Sequence, residues 1–175
     1  MKKILFPLKT GKEIEALKAG DEIKLYGDIY VARDAAHKKL VKDISNKKKS
    51  PFPLKNNLIY YMGPTPAPKG KIIGSCGPTT SIRMDVYTPI LLQKGIKATM
   101  GKGGRGREII DACKKYRAIY LITYGGCGAY LSQFVKKFKC IAYGELSPES
   151  IYKLEIEGFP AIVAIDTKGN TLYNR

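Results

Sequence analysis

Short apolar runs separated by glycine and aspartate fill the N-terminal part of the chain and predict a β-rich segment. We assign strands to residues 3–6, 22–26, 29–31 and 58–62. A short helix is predicted at 13–18, and a longer helix begins with Asp34 as its N-terminal cap and runs towards Ile44. The stretch 45–57, which contains lysines and prolines, is predicted to be a loop.

From Gly70 onwards the pattern changes to strand, glycine loop and helix, and this unit occurs three times. In the first unit, a strand end at 71–74 precedes a helix over 81–94, which carries apolar residues at helical spacing: Ile82, Val86, Ile90 and Leu91. The other units place strands at 98–100 and 118–123, loops at 101–106 and 125–128, and helices at 107–116 and 129–138. Such alternation predicts a parallel sheet flanked by helices.

The remaining segment adds a strand at 140–143, a short helix after Ser147 and a hairpin over 161–173 that turns at 166–169. We expect residues 1–175 to form a single domain, with a β-rich part over about 1–70 and a βα-repeat part over about 70–175. Ligands of open parallel sheets bind at the carboxyl ends of the strands. The three glycine loops are therefore expected to line an anion site.

The balance of charged residues is strongly basic: 31 Lys and Arg against 15 Asp and Glu give a formal net charge of +16. Such a charge favours nucleic acid, an acidic protein or a small anionic substrate as a partner. Nucleic acid is the least favoured, because the sequence lacks an RNA-recognition motif, a KH loop and zinc-finger spacing. No apolar run approaches a membrane span, and Pro7 interrupts the first apolar residues before a signal core develops, so we expect a cytoplasmic protein.

The four cysteines, Cys76, Cys113, Cys127 and Cys140, form no C-x-x-C pair and match no zinc or iron–sulfur spacing. We therefore predict that this chain supplies no cluster ligands and binds no iron unaided. Cys113 and Cys140 are expected at buried positions, whereas Cys76 and Cys127 lie in glycine loops. Packing is the favoured role for all four.

Residues 77–85, with the sequence G-P-T-T-S-I-R-M-D, give the strongest functional signal. If this motif opens a helix, the free backbone N–H groups of the first turn and the helix dipole favour an anion there. Thr79 and Arg83 are four residues apart, so they would lie on one helical face. The motif thus predicts a site for a carboxylate or a phosphate.

Three other side chains are candidates for the same site. Arg33 lies at a second strand-to-helix junction, where its guanidinium can donate two parallel hydrogen bonds to a carboxylate, although a surface ion pair is its more ordinary role. His37, the only histidine, is one helical turn further on and is expected to support the site from behind. Lys102 lies in the loop 101–106, whose backbone N–H groups could close over an anion.

The glycine loops also allow other interpretations. Residues 101–106 fit the G-x-G-x-x-G string of dinucleotide sites, but no acidic residue follows about twenty positions later, and the P-loop spacing is absent. Loop 125–128 fits either a tight turn or a close approach of backbone to ligand. Among the motif residues, Thr79 is the one candidate for proton transfer, and a threonine hydroxyl is a poor base unless a neighbour activates it. The chain lacks a self-contained catalytic constellation.

Four motifs together resemble the β subunit of class I, iron–sulfur fumarate hydratase and the related L-tartrate dehydratase β subunit. They are R-D-A-A-H at 33–37, G-P-T-P at 63–66, G-P-T-T-S-I-R-M-D at 77–85 and G-K-G at 101–103. The resemblance covers nearly the whole chain. It implies a three-layer, swivelling β/β/α domain, in which a parallel sheet flanked by helices accompanies a second, smaller β-sheet.

The resemblance also implies a hydro-lyase that interconverts fumarate and malate, with L-tartrate dehydration as the alternative. Arg33, Arg83 and Lys102 match the family's substrate-binding side chains, Thr79 matches the proposed base, and His37 and Asp85 stand behind them. A separate α subunit would carry the [4Fe-4S] cluster, so the β chain alone is expected to be inactive. Ser81-Ile82, Cys76 and Cys127 depart from the family pattern and leave the choice of diacid open. A basic module that binds RNA or another polyanion remains the more distant alternative.

Overall fold

The computed structural model describes residues 1–173. Seven strands are present: β1 (Lys2–Phe6), β2 (Glu22–Val31), β3 (Leu58–Tyr60), β4 (Ala98–Gly101), β5 (Ile119–Ile122), β6 (Val135–Ala142) and β7 (Ile151–Ile165). The α-helices are α1 (Asp34–Ser45), α2 (Thr88–Gln93), α3 (Arg107–Tyr116) and α4 (Gly128–Leu131). Short 3-10 helices occupy Lys12–Ile14, Ile82–Met84, Ser132–Phe134 and Gly144–Leu146. Within residues 1–173, no helix is both long enough and apolar enough to cross a membrane.

The strands form a sheet in the order β1-β2-β3-β4-β5-β7-β6. Strands β1 to β5 run parallel to one another. Strand β7 runs antiparallel to β5, to β6 and also to β2. Because β7 pairs with both β2 and β5, the strands β2, β3, β4, β5 and β7 close into a ring, and β1 and β6 are attached to its outside edges.

The length of β7 makes this closure possible. It has 15 residues, of which Tyr152 to Ile162 pair with β2, while Ile162 to Ile165 continue onto β5. The pairing register shifts near Leu25 in β2 and near Tyr120 in β5. Such irregularities increase the bend and twist of a strand, which a sheet needs in order to close on itself.

Alternate residues of the central strands belong to two different apolar clusters, as expected for pleated strands. One cluster contains Leu58, Tyr60, Ala98, Met100, Ile119 and Leu121. The other contains the intervening residues Ile59, Tyr61 and Tyr120, together with the helix residues Leu40, Leu91 and Ile109. All of these side chains are buried. The second cluster therefore lies between the sheet and helices α1, α2 and α3, and the first lies on the opposite face, which is the inside of the ring.

The predicted mixed α/β character is confirmed. Strands β1, β3, β4 and β5 and helix α1 lie where the pattern placed them, α3 has the predicted bounds, and the predicted strands at 22–26 and 29–31 are parts of the single strand β2. The predicted second, smaller sheet is not separate among residues 1–173, because β7 joins the antiparallel strands to the parallel ones. The three-layer, swivelling arrangement stays a prediction.

The prediction was wrong mainly in the C-terminal third. Of the predicted helix over 129–138, only the residues within α4 (Gly128–Leu131) are α-helical, and β6 begins at Val135. The segment after Ser147 forms no helix and enters β7. Pairing between β6 and β7 satisfies their backbone groups, and this long-range ladder overrides the local helical pattern. The predicted hairpin at 161–173 is reduced to a turn with a single bridge between Ile165 and Thr171.

Candidate functional site at the carboxyl edge of the sheet

Three neighbouring parallel strands bring the candidate residues to one edge. Strands β2, β3 and β4 are parallel, so their carboxyl ends lie side by side. Arg33 follows β2, Gly63 follows β3 and Lys102 follows β4 directly. Arg33 and Lys102 therefore lie at one edge of the sheet, where the strand ends placed them, and their role in binding stays a prediction.

Thr79 reaches this edge in an extended segment that lies between the residues following β3 and those following β4. Its backbone N–H and its hydroxyl both donate to the carbonyl oxygen of Tyr61, at 2.8 and 3.0 Å. On one side Pro78 pairs with Met62, and on the other Thr80 pairs with Lys102. Thr79 and Lys102 are thus held in adjacent segments by backbone hydrogen bonds.

The expected helix at Thr79 is wrong. The first helical turn is the 3-10 helix Ile82–Met84, and α2 begins only at Thr88. The predicted strand at 71–74 is also absent from the part of the chain that the structure describes. The backbone N–H groups of Thr79 and Ser81 are already paired with Tyr61 and Lys102, so they do not form the expected anion-binding first turn.

Gly101 allows the Thr79 segment to lie flat against the end of β4. A Cβ atom at this position would lie 3.1 Å from the carbonyl oxygen of Thr79 and 3.1 Å from Cδ2 of Tyr61, and it would collide with Oγ of Ser81. The hydroxyl of Tyr120 lies 2.9 Å from the same Ser81 Oγ. The first glycine of the predicted dinucleotide string therefore serves close packing of the chain on itself.

Arg83 and Asp34 join the 77–85 motif to the junction between β2 and α1. Nε and Nη2 of Arg83 donate to the two carboxylate oxygens of Asp34 at 2.8 and 3.1 Å. These hydrogen bonds lower the pKa of Asp34 and raise the pKa of Arg83 from their ordinary values. Asp34 was predicted to cap α1, but the cap position is Arg33, and Asp34 is the first residue of the helix. Its carboxylate instead orients a candidate substrate-binding side chain.

Arg33 is also paired with a carboxylate. Its Nη2 lies 2.8 Å from Oε1 of Glu149, and its Nε lies 3.6 Å from Oδ2 of Asp34. Nε is buried and has no hydrogen-bond partner among residues 1–173. The guanidinium lies directly over Gly63, because a Cβ atom there would collide with Nη1. Arg33 thus forms an ion pair, which the sequence indicated as its more ordinary role. The pair also holds the guanidinium at the edge of the site.

His37 is completely buried behind Arg33. Its Nδ1 lies 3.0 Å from the carbonyl oxygen of Arg33, and its ring meets the ring of Tyr61 edge-on at a centroid distance of 5.3 Å. Burial lowers the pKa of His37 to about 4, so the imidazole is neutral at pH 7. A neutral ring donates from Nδ1 to the carbonyl, which matches the supporting position predicted for it.

Arg105 is a central residue that sequence reasoning missed. Its side chain is fully buried, and Nε lies 2.5 Å from Oδ1 of Asp85. Its Nη2 donates to Oγ1 of Thr88 at 2.8 Å, and its guanidinium lies 4.8 Å from the ring centroid of Tyr120. The other oxygen of Asp85 accepts from the backbone N–H of Gly106 at 2.7 Å. This network ties the end of the 77–85 motif to the loop that carries Lys102.

Lys102 differs from the two candidate arginines in having a free head group. The residue is exposed, and within residues 1–173 its Nζ has neither an ion-pair partner nor a hydrogen-bond acceptor. Its side chain passes Gly125, where a Cβ atom would lie 3.6 Å from Cδ of Lys102. Lys102 is therefore a cation that remains available to an anionic ligand at this edge.

The loop 125–128 packs against another loop. A Cβ atom at Gly128 would lie 2.8 Å from the backbone nitrogen of Gly77, and the Gly128 carbonyl accepts from the N–H of Cys76 at 3.2 Å. Cys76 and Cys113 are buried, and burial raises the pKa of each thiol to about 12. Cys127 is exposed, and Cys140 is exposed as well, so its predicted burial is wrong because β6 turns it outwards.

The donor groups of the described residues do not suit a metal cluster. Across residues 1–173, no three His, Cys, Asp or Glu side chains come together in a group that could hold a metal ion. The residues gathered at the site edge are instead cations and a hydroxyl, with the carboxylates of Asp34 and Glu149 paired to the two arginines. They suit a carboxylate better than they suit iron.

Comparison with known proteins relates the whole chain to one family. Residues 2–175 match the family described as Fumarase C-terminus. The chain is 38% identical over 169 residues to "Fumarate hydratase 2" of Leishmania major, a match that covers 95% of this chain and 30% of that protein. It is 42% identical over 155 residues to "Fumarate hydratase class I, aerobic" of Escherichia coli (strain K12), covering 87% of this chain and 28% of that protein.

A third relative is similar in length as well as in sequence. "Putative L(+)-tartrate dehydratase subunit beta" of Methanocaldococcus jannaschii is 39% identical over 170 residues, covering 94% of this chain and 87% of that protein. The chain thus spans less than a third of the two fumarate hydratases and most of the subunit. On the match over residues 2–175 and on these relatives, the chain belongs to the Fumarase C-terminus family, which class I fumarate hydratases and L-tartrate dehydratase β subunits share.

Proposed function

We propose that this chain is the β-type part of a hydro-lyase that reversibly hydrates fumarate to malate. One observation carries the proposal. Arg33 and Lys102 follow parallel strands and so lie at the same edge of the sheet, and the extended segment that holds Thr79 lies between them. A diacid needs two cationic contacts and a proton-transfer group, and this edge offers both kinds of side chain. We further propose that residues 1–175 act as one domain of a cytoplasmic enzyme.

The proposed role of each side chain follows from the hydrogen-bond donors or the charge that its head group has left unpaired. Lys102 would bind one carboxylate with its unpaired ammonium, and Arg33 and Arg83 would bind the other with donors that Glu149 and Asp34 leave unused. Thr79 would exchange a proton with the substrate. Its hydroxyl donates to the Tyr61 carbonyl, so its oxygen is free to accept a hydrogen bond from the substrate; it would take up a substrate proton only after a base outside the described residues has removed its own.

A partner polypeptide is the second element of the proposal. Thr79 has no basic side chain bonded to it among the described residues, so its activation must come from outside the chain. Two large apolar side chains, Ile82 and Val86, are 55% and 72% exposed on either side of Arg83 and would be covered by that partner. The partner would also carry the [4Fe-4S] cluster, since the described residues offer no fitting set of ligands.

The similarity to a tartrate dehydratase subunit gives a second candidate substrate. That relative matches this chain in length, whereas the fumarate hydratases are much longer. Tartrate and malate both carry two carboxylates and a hydroxyl next to a carboxylate, so the same three cations would serve either diacid. Assays of the assembled protein with fumarate, malate and L-tartrate distinguish the two substrates.

The proposal is tested by coexpressing this chain, under anaerobic conditions, with a candidate α subunit that contains cysteines able to bind the cluster. The assembled protein is expected to interconvert fumarate and malate, or to dehydrate L-tartrate, while neither chain does so alone. Failure of the assembled, cluster-loaded protein to act on all three diacids would contradict the proposal. Strong, salt-dependent RNA binding without any hydration activity would favour the polyanion-binding alternative instead.

A further inference from the structure

The two candidate arginines at the site edge are already paired with carboxylates. Arg83 is held by Asp34, its neighbour across the junction, and Arg33 is held by Glu149, which comes from the loop before β7. The four charges cancel in pairs. These carboxylates therefore do not make the edge more attractive to an anion; instead they fix where the two guanidinium groups point.

Glu149 is itself fixed at both oxygens. Oε1 lies 2.8 Å from Nη2 of Arg33, and Oε2 accepts from the backbone N–H of Ala35 at 2.8 Å. The second bond anchors the carboxylate to the first turn of α1, where the helix dipole favours a negative charge. Glu149 is about three-quarters buried, with 22% of its side chain exposed, so it forms a rigid support rather than a fluctuating surface pair.

The ion pair with Glu149 uses Nη2 of Arg33 and leaves Nη1 without an acceptor in the described part of the chain. With Nη2 on Glu149, Nη1 points towards Gly63, and no acceptor for Nη1 lies within hydrogen-bond reach in the described part of the chain. A Cβ at position 63 would collide with this nitrogen and force the guanidinium to move, so glycine allows Arg33 its present position. Glycine thus keeps open the space beside the free donors.

We propose that Glu149 is a positioning residue that holds Arg33 over Gly63, so that Nη1 is presented to a substrate carboxylate. The inference rests on the proposed function for the identity of that ligand. Glu149 does not touch the substrate in this arrangement and acts only through Arg33. Its contribution is expected in substrate affinity, since an arginine that is free to rotate must be ordered again at each binding event.

The variant Glu149→Gln tests this in the assembled enzyme. Glutamine has the same shape but one acceptor oxygen, so its NH₂ group must face either Arg33 or Ala35. We expect KM for the diacid to rise about tenfold while kcat changes less than about threefold. The matched control is Glu145→Gln, which removes the nearby ion pair with Lys39 and should leave both constants unchanged.

A crystal structure of the Glu149→Gln enzyme separates this inference from the proposed function. We expect the Arg33 guanidinium to leave its position over Gly63, whatever diacid the enzyme uses. If the wild-type enzyme acts on no tested diacid, the proposed function is wrong. The position of Arg33 in the variant structure still tests the role of Glu149 in that case. An unmoved Arg33, or a KM equal to that of the wild type with active enzyme, would overturn the inference.

Discussion

Arg105 and Asp85 form a buried ion pair whose Nε and Oδ1 atoms lie 2.5 Å apart, with the arginine side chain fully shielded from water. Asp85 ends the 77–85 motif, and Arg105 belongs to the loop that carries Lys102. The pair therefore fixes two functional segments relative to each other. The other groups around the guanidinium are two hydroxyls and two aromatic rings, those of Thr88, Thr99, Tyr61 and Tyr120. A charge in this position needs its partner, because none of these groups carries a compensating charge.

Removing the carboxylate of Asp85 should destabilise the protein strongly. Asp85→Ala leaves the guanidinium of Arg105 and the backbone N–H of Gly106 without their acceptor. We expect the free energy of unfolding to fall by about 3–5 kcal/mol, measured by urea denaturation. Asp111→Ala, which removes the exposed pair with Arg107, is the control and should have little effect. Equal effects of the two substitutions would contradict the structural role of Asp85.

Loss of a candidate substrate-binding cation should impair turnover without unfolding the chain. For Lys102→Ala and Arg83→Ala in the assembled enzyme, we expect kcat/KM to fall roughly tenfold to hundredfold, because a charged hydrogen bond to the diacid is lost. Both residues are exposed, so the thermal midpoint should change little. Lys114→Ala on α3 is the matched control. Turnover equal to wild type in both variants would refute the site assignment.

His37 should make stability depend on pH. Its pKa is lowered from 6.5 to about 4 by burial, so between these values the unfolded chain binds a proton that the folded chain does not. The contribution of His37 to the free energy of unfolding, about 3 kcal/mol, is fully present above pH 6.5. This contribution is lost as the pH falls towards 4. Because it is the only histidine, NMR titration of the single imidazole measures this directly. A titration midpoint near 6.5 would show that the ring is not buried as described.

A methyl group at position 101 should displace the segment that carries Thr79. Gly101→Ala brings Cβ to 3.1 Å from both the Thr79 carbonyl and the Tyr61 ring, so the segment must move. We expect a loss of about 1–3 kcal/mol in stability together with reduced kcat. Gly144→Ala is the control, since no atom lies within 4 Å of a Cβ there. Thermal denaturation and kinetics indistinguishable from those of wild type would show that the close packing at Gly101 is unimportant.

Sequence reasoning named candidate side chains for the site but not the geometry that holds them. All four candidates, Arg33, Thr79, Arg83 and Lys102, stand in motifs. Arg33 and Lys102 follow strands as predicted, whereas the strand expected before Thr79 and Arg83 is absent from the described part of the chain. The helix expected at Thr79 does not exist, because its backbone N–H groups pair with other segments. No local pattern marked Arg105 or Glu149, since a basic glycine loop and a polar turn give no sign of burial or of a distant partner.

The sequence by itself determined the elements whose apolar pattern is local: α1, α3 and the short central strands, together with their order and hence the edge at which the motif residues collect. Only the tertiary structure decided the rest. Ala35 and Glu149 are 114 residues apart and meet solely because β7 closes the ring back onto β2. Pairing with β2 and β5 closes the ring through β7, and β7 in turn pairs with β6, so tertiary pairing satisfies backbone groups that no local propensity can account for.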